Sequence, residues 1–300
     1  MSLLVVGSVA LDCIETPTER RDNVLGGSAV HFSYAASFFA KSRIVGVVGE
    51  DWPTQHTDML VGRGVDVTGL STVKGGKTFR WSGKYHQNMN DRDTLEVHLN
   101  VLGDFNPQLP AGYRDSKFVF LGNAAPSTQL KVLEQVPNAT LSVADTMDLW
   151  INIQRDELRQ LLTKIDGLVL NDNEAKLLAD DENLVRAGHK VLGMGPKFIV
   201  IKKGEHGAMF FSAKEKFIMP AYPTSQVVDP TGAGDSFAGG MMGYLAEQGT
   251  IEPRTLKHAL AYGTVIASFN VEDFSLDRLK GLERADIDRR FSEYREMLTF

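Results

Sequence analysis

Six short apolar runs, spaced along the chain between helical patterns, constrain the fold more than any other feature. They cover residues 3–9, 43–48, 118–121, 140–143, 167–170 and 198–201. Their apolar residues follow one another instead of alternating with polar ones, as expected of strands covered on both faces. Between them lie helical candidates. Val30, Tyr34 and Phe38 recur at i, i+4 and i+8, and Leu158, Leu161 and Leu162 share another face. This alternation predicts an α/β fold with a mainly parallel sheet. No internal repeat or low-complexity linker divides the chain, so one compact domain is expected over residues 1–300.

One stretch has a different period. Across residues 78–85, Phe79, Trp81, Gly83 and Tyr85 alternate with Thr78, Arg80, Ser82 and Lys84. Leu95, Val97, Leu99 and Val101 then alternate with Glu96, His98 and Asn100. Polar turn residues 88–93 join the two runs, so the segment predicts a separate antiparallel flap with one covered face. It reads either as an edge hairpin on the core or as a lid or dimer surface.

Composition removes several classes. At 43% hydrophobic and 23% charged, 300 residues hold ample material for a core. A formal charge of −6, from 32 Lys+Arg against 38 Asp+Glu, argues against sequence-independent nucleic-acid binding. The single cysteine, Cys13, excludes an intrachain disulfide and a four-cysteine zinc site. No apolar run approaches the ~18 residues of a membrane span. No basic leader opens the chain, so a reducing cytoplasm is expected.

The strongest local signal is Val227-Val228-Asp229-Pro230-Thr231-Gly232-Ala233-Gly234-Asp235-Ser236, an apolar pair and a turn followed by a helical pattern through Phe237, Met241, Tyr244 and Leu245. The amides of Gly232, Ala233 and Gly234 would begin that helix without intrahelical acceptors, and such a terminus binds anions. Asp235 would repel a bound polyphosphate, so its natural task is taking a proton from an attacking hydroxyl. The plain alternative is a glycine turn with a favourable first-turn acid. A dinucleotide fingerprint fits poorly, because Phe237 stands where the third glycine belongs. A Walker loop fails for want of Gly-Lys-Ser/Thr.

Weaker candidates surround this motif. Asn171 and Glu174 have the spacing of a helix cap, yet at a strand's exit they also suit Mg²⁺ held through water. Asp12 lies just beyond the first strand, and Gly26-Gly27 precede a helix beginning near Ser28; the acid is a turn former or a holder of substrate hydroxyls. Lys203-Gly204-Glu205-His206-Gly207 reads first as a hairpin loop. His31 has no helical neighbour of metal-ligating type, which favours packing or hydrogen bonding over coordination.

Taken in order, Gly7-Ser8 through Asp12, Gly26-Gly27, Asn171-x-x-Glu174, Lys203-Gly204-x-x-Gly207 and Asp229-x-Thr231-Gly232-Ala233-Gly234-Asp235 resemble the ribokinase-like, B-type phosphofructokinase family of carbohydrate kinases across nearly the whole chain. The resemblance implies a central mainly parallel β-sheet flanked by helices, with a small discontinuous β lid from about residues 14–23 and 78–101. It implies Asp235 as base and the amides of Gly232, Ala233 and Gly234 as an anion hole. Asn171 and Glu174 would organise Mg²⁺. Lys203, Gly204, Gly207 and Thr231 would serve ATP, and Asp12, Gly26 and Gly27 the acceptor. Potassium near residues 229–231 is a further candidate cofactor. One departure stands out: many sugar-kinase members carry Asn where this chain has His31, which alters size and hydrogen bonding at the acceptor site. Asn123, just past the strand at 118–121, is one more candidate acceptor contact.

The expectation is an ATP- and Mg²⁺-dependent kinase acting on a sugar, polyol or other sugar-like hydroxyl, with no nucleic-acid or membrane partner and a candidate homodimer through the lid. A nucleoside kinase is the alternative within the family, with Phe79, Trp81 and Tyr85 as a stacking surface for a base. A non-catalytic ligand sensor is the alternative of another class, though it would need neither Asp235 nor Glu174.

Overall fold

A computed structural model describes residues 1–299. The apolar runs form strands as expected: β1 (Leu3–Val6) leads, followed by β2 (Ala10–Glu15), β3 (Arg20–Gly26) and helix α1 (Ser28–Ala36). Next come β4 (Ser42–Gly49), α2 (Thr54–Gly62), β5 (Asp66–Val73), β6 (Arg80–Tyr85), β7 (Arg92–His98) and β8 (Phe118–Leu121). Helix α3 (Pro126–Gln135), β9 (Leu141–Asp145), α4 (Asp148–Ile153), α5 (Arg155–Leu162), β10 (Gly167–Asn171), α6 (Asp172–Ala179) and α7 (Leu184–Leu192) continue the alternation. The chain closes with β11 (Phe198–Lys202), β12 (Ala208–Ser212), β13 (Lys216–Met219), α8 (Ala233–Gln248), α9 (Pro253–Asn270), α10 (Asp277–Lys280) and α11 (Arg284–Met297).

Nine strands make one sheet in the order β13-β12-β11-β10-β9-β8-β1-β4-β5, with every neighbour from β11 to β5 paired parallel. Only the β12 and β13 edge is antiparallel. The apolar runs are continuous because each strand feeds two layers. Leu3, Val5, Phe118, Phe120, Val169 and Val200 pack on the side of α1, α8 and α9. Leu4, Val6, Val119, Leu121, Leu168 and Ile201 pack on the side of α5, α6 and α7. Among the described residues, no helix is long and apolar enough to cross a membrane.

Three glycines set the seat of α8. A Cβ at Gly239 would meet α1 at Ala35, one at Gly243 would lie 2.9 Å from Ala36 Cα, and one at Gly240 would lie 3.2 Å from Gly263 of α9. The helix is therefore wedged between two neighbours at backbone contact, which larger residues would prevent.

The first strand stops three residues earlier than its apolar pattern suggests. Ser8 leaves the sheet to exchange hydrogen bonds with Ser28, its amide donating to Ser28 Oγ (3.1 Å) and its own Oγ accepting from the Ser28 amide (3.0 Å). That crossing ties the strand exit to the start of α1 and frees the next residues for a second sheet. The small sheet runs β3-β2-β6-β7, with antiparallel β2–β3 and β6–β7 pairs joined by a parallel β2–β6 seam. It takes in Ala10–Glu15 and so reaches nearer the main sheet than the segment 14–23. β7 ends at His98; Asn100 turns into the left-handed region at φ 47° and a single 3-10 turn follows, so Leu99 and Val101 are not strand residues.

Candidate active site

The carboxyl ends of the parallel strands bring together side chains far apart in sequence, and in open α/β sheets that edge is where ligands bind. Asp145 ends β9, Asn171 ends β10 and Lys202 ends β11. Since β9, β10 and β11 are adjacent, these three ends line up. The start of α8 faces them: a Cβ at Gly234 would lie 2.8 Å from Lys202 Nζ.

Lys202 Nζ sits 3.5 Å from Asp145 Oδ2. Burial alone would depress the ammonium, but the carboxylates of Asp145, Glu174 and Asp235 outweigh it, and its pKa is raised. One cation thus answers for three acids. The Glu174 carboxyl is pushed up to about 7, first by burial and then by the charge of Asp145. Asp235 rises to about 7 for the same two reasons, with Lys202 and Arg92 pulling the other way. A carboxyl poised near neutrality is suited to receive a proton at physiological pH.

The loop ahead of α8 supplies the anion-binding geometry. Gly232 is the N-cap at φ 75°, ψ 0°, a conformation that disfavours any residue with a Cβ, and a Cβ there would run into the His31 ring. The amides of Gly232 and Gly234 donate to no protein acceptor among the described residues. Ala233 differs from the sequence expectation: its amide closes a turn onto the Pro230 carbonyl at 3.1 Å. Asp229 is fully buried and anchors the turn, accepting from the amides of Thr231 (2.9 Å) and Ser275 (3.2 Å).

Asp12, on β2, is 4% exposed, and its Oδ1 has no hydrogen-bond partner. Burial pushes its carboxyl up to about 7, and the charges of Asp229 and Asp235 add to the rise. Gly26 lies beside it on β3, and a Cβ there would collide with the Asp12 carboxylate. Gly27 then enters α1 at φ 100°. His31 lies 1% exposed on α1, with Nδ1 3.3 Å from Asn270 Oδ1 and Nε2 unpartnered. Burial lowers its pKa to about 4, so the ring is neutral.

The remaining candidates have local partners. Asn171 and Glu174 form the reciprocal cap: the Glu174 amide donates to Asn171 Oδ1 (2.8 Å) and the Asn171 amide to Glu174 Oε2 (2.7 Å). Capping leaves the second Glu174 oxygen free, so structural and ligand roles are compatible. Lys203, Gly204 and Gly207 form the hairpin between β11 and β12, with the Lys203 amide donating to the Gly207 carbonyl (2.7 Å). Asn123 is held by α4, accepting from Trp150 Nε1 at 2.9 Å and donating to Met147 Sδ.

The flap reaches both parts of the site. Thr231 Oγ1 donates to the Tyr85 oxygen at 3.0 Å, and Asn90 Nδ2, at the hairpin tip, donates to Glu205 Oε1 at 3.0 Å. Beneath it, Ile14, Tyr85 and Phe274 form a small apolar cluster, with Trp81, Met89 and Val228 packed against it.

Asp145, Lys202 and Asn270 are absent from the sequence-derived candidates. An acid at a strand's carboxyl end was the signal that singled out Asp12, and Asp145 carries it too. Lys202 is masked by Lys203 beside it, and Asn270 has no sequence signal.

Residues 1–278 match the pfkB family of carbohydrate kinases. A cytidine kinase of Thermococcus kodakarensis is 29% identical over 248 residues, covering 81% of this chain and 87% of that one. A nucleoside kinase of Burkholderia thailandensis, solved in complex with inosine, shares the fold at a TM-score of 0.81 and 20% identity, over 97% of both chains. A ribokinase of Arabidopsis thaliana, solved with ribose and ATP, aligns at a TM-score of 0.76 and 19% identity, over 96% of this chain and 98% of that one.

Proposed function

The chain belongs to the pfkB family of carbohydrate kinases and catalyses ATP-dependent phosphorylation of a small-molecule hydroxyl; within that activity we propose that Asp235 is the base and that Gly232 and Gly234 hold the transferred phosphoryl group. The observation that carries this reading is the coincidence at the start of α8 of unpartnered amides and a carboxyl poised near pH 7. Asp235 takes the proton of the acceptor hydroxyl as its oxygen attacks the terminal phosphorus of ATP. The amides and the dipole of α8 stabilise the charge on the equatorial oxygens, and ADP leaves. Ala233 contributes by fixing the turn through its bond to Pro230.

Mg²⁺ fits the acidic end of the site, since Glu174 and Asp145 supply hard oxygen donors and carry more negative charge than Lys202 offsets. Held by Glu174 and Asp145, Mg²⁺ would supply positive charge against the phosphates of the nucleotide. Asn171 orients Glu174 through the cap, and Lys203, Gly204, Gly207 and Thr231 border the nucleotide. Potassium suits the buried Asp229 carboxylate beside the same loop.

Asp12 accepts from an acceptor hydroxyl through its free Oδ1, with Gly26 leaving room beside the carboxylate and Gly27 letting the chain cross Ser8 into α1, and His31 and Asn123 bound the acceptor region. Residues 1–300 then form one kinase domain in which the four-stranded sheet is a lid. The half-exposed Leu95 and Val97 of β7, with Leu99 just past its end, give that lid an apolar edge on which a second copy of the chain can pack. A nucleoside acceptor is the second reading, favoured by the partly exposed Trp81, Met89 and Val228, which flank the buried cluster of Ile14, Tyr85 and Phe274 and offer a base an apolar surface. ADP release measured with ATP, Mg²⁺ and K⁺ over sugars, polyols and nucleosides tests both. Turnover confined to nucleosides selects the second reading, and binding without ADP release across the panel contradicts a kinase.

A further inference from the structure

Asn270, the last residue of α9, is fully buried and contacts three parts of the phosphate loop and its surroundings. Its Nδ2 donates to the Thr231 carbonyl at 2.9 Å, and its Oδ1 faces Ser236 Oγ at 2.8 Å and His31 Nδ1 at 3.3 Å. Hydrogen-bond chemistry fixes every donor in this network. A backbone carbonyl only accepts, so the amide nitrogen must face Thr231 and the amide oxygen must face the other two groups. That oxygen in turn only accepts, so Ser236 donates its hydroxyl proton and His31 must carry its proton on Nδ1. Burial keeps the ring neutral, with its pKa near 4, so Nε2 is left as a bare acceptor. The ring held this way is the surface against which Gly232 rests, in contact too close for a Cβ.

We propose that Asn270 is a positioning residue for phosphoryl transfer: it locks His31 in the Nδ1–H tautomer and, through Thr231 and Ser236, holds both ends of the Gly232–Asp235 turn in register with the base. This rests on the reading of that turn as the anion hole. Residues 231 and 236 flank the turn, so one buried amide spans it from end to end. Losing the clamp lets the amides and Asp235 shift relative to each other, and misplacement on the order of 1 Å costs roughly 100-fold in rate.

Histidine ¹⁵N–¹H correlation spectra of the native enzyme read the tautomer directly, and a His31→Asn sample assigns the signal. Protonation at Nδ1 is expected; an Nε2–H ring, or an imidazolium at pH 7, overturns the proposal whatever the variants do. Asn270→Ala, assayed per folded enzyme, is expected to lower kcat about 10- to 100-fold. KM for ATP and acceptor should stay within about threefold, and the Nδ1–H signal should be lost. Asn270→Asp keeps acceptor oxygens for Ser236 and His31 but loses the donor to Thr231; it should retain the Nδ1–H signal while kcat stays low. Wild-type kcat in folded Asn270→Ala overturns the positioning role. Should Asp235→Asn keep full turnover, the site reading fails instead, and the tautomer result is unaffected.

Discussion

The Thr231 hydroxyl meets the Tyr85 phenol oxygen at 3.0 Å, joining the flap to the loop that precedes α8. Tyr85 is 5% exposed, so this contact is sheltered from solvent. A second contact, Asn90 to Glu205, joins the flap tip to the β11–β12 hairpin. The small sheet therefore touches both the glycine loop and the proposed nucleotide border, the position from which the proposed lid would shield the transfer from water.

Replacing Tyr85 with Phe removes the hydroxyl and leaves the ring packed. A hydrogen bond of this kind contributes about 0.5–1.5 kcal/mol, so acceptor KM should rise about 2- to 10-fold, with a change in thermal midpoint of a few degrees at most. Steady-state kinetics at saturating ATP measure it. Unchanged KM would show that the contact does not contribute to the closed state.

The pH dependence follows from Asp235. Its carboxyl titrates at about 7 and must be ionised to act as a base, so kcat/KM should fall as pH drops through that value. The positive charge of Arg92, on β7, lowers the Asp235 pKa. Removing it in Arg92→Ala should raise that pKa and move the acid limb of the profile to higher pH. An acid limb that stays put would disconnect Arg92 from the base.

The Lys202 ammonium is held by the charges of Asp145, Glu174 and Asp235. In Lys202→Ala the carboxyls lose this counterion, and breaking a buried ion pair costs about 3–5 kcal/mol. The acids can protonate at low pH, so denaturant unfolding should show a larger loss at pH 8 than at pH 5. Equal losses at both would show that the ammonium is not compensating these carboxylates.

Gly232→Ala tests the phosphate loop. Its φ of 75° costs a residue with a Cβ about 1–2 kcal/mol, and the new methyl group must also displace His31. Lower stability and a kcat reduced at least tenfold are expected, roughly the effect of losing an oxyanion donor. Full activity would show that the N-cap backbone need not hold this shape.

Much of the fold was legible because burial on two faces leaves a local mark. Leu3 and Val5 pack on one side of the sheet and Leu4 and Val6 on the other, so the run must be apolar throughout. The glycine loop was legible for a similar reason, since its backbone geometry is written in consecutive residues. What escaped depends on strand order. Asp145 and Lys202 meet only because β9, β10 and β11 are neighbours, and Asn270 reaches His31 across 239 residues. The amide of Ala233 escaped too, because its bond to Pro230 depends on how tightly the turn closes.

The most direct measurement of the account is ADP release by Asp235→Asn with its true acceptor, set beside its thermal midpoint at two pH values. Turnover should fall by roughly 100-fold or more, since the amide cannot take the acceptor's proton. The stability sign is also fixed. The folded pKa of about 7 lies above the ordinary 3.8, so the native state binds the extra proton between those values and the ionised carboxyl destabilises it above them. The side-chain amide of the variant carries no such charge, so Asp235→Asn should raise the midpoint more at pH 8 than at pH 4. Near-wild-type turnover would contradict Asp235 as the base, and a midpoint lowered at pH 8 would contradict its strained, buried environment.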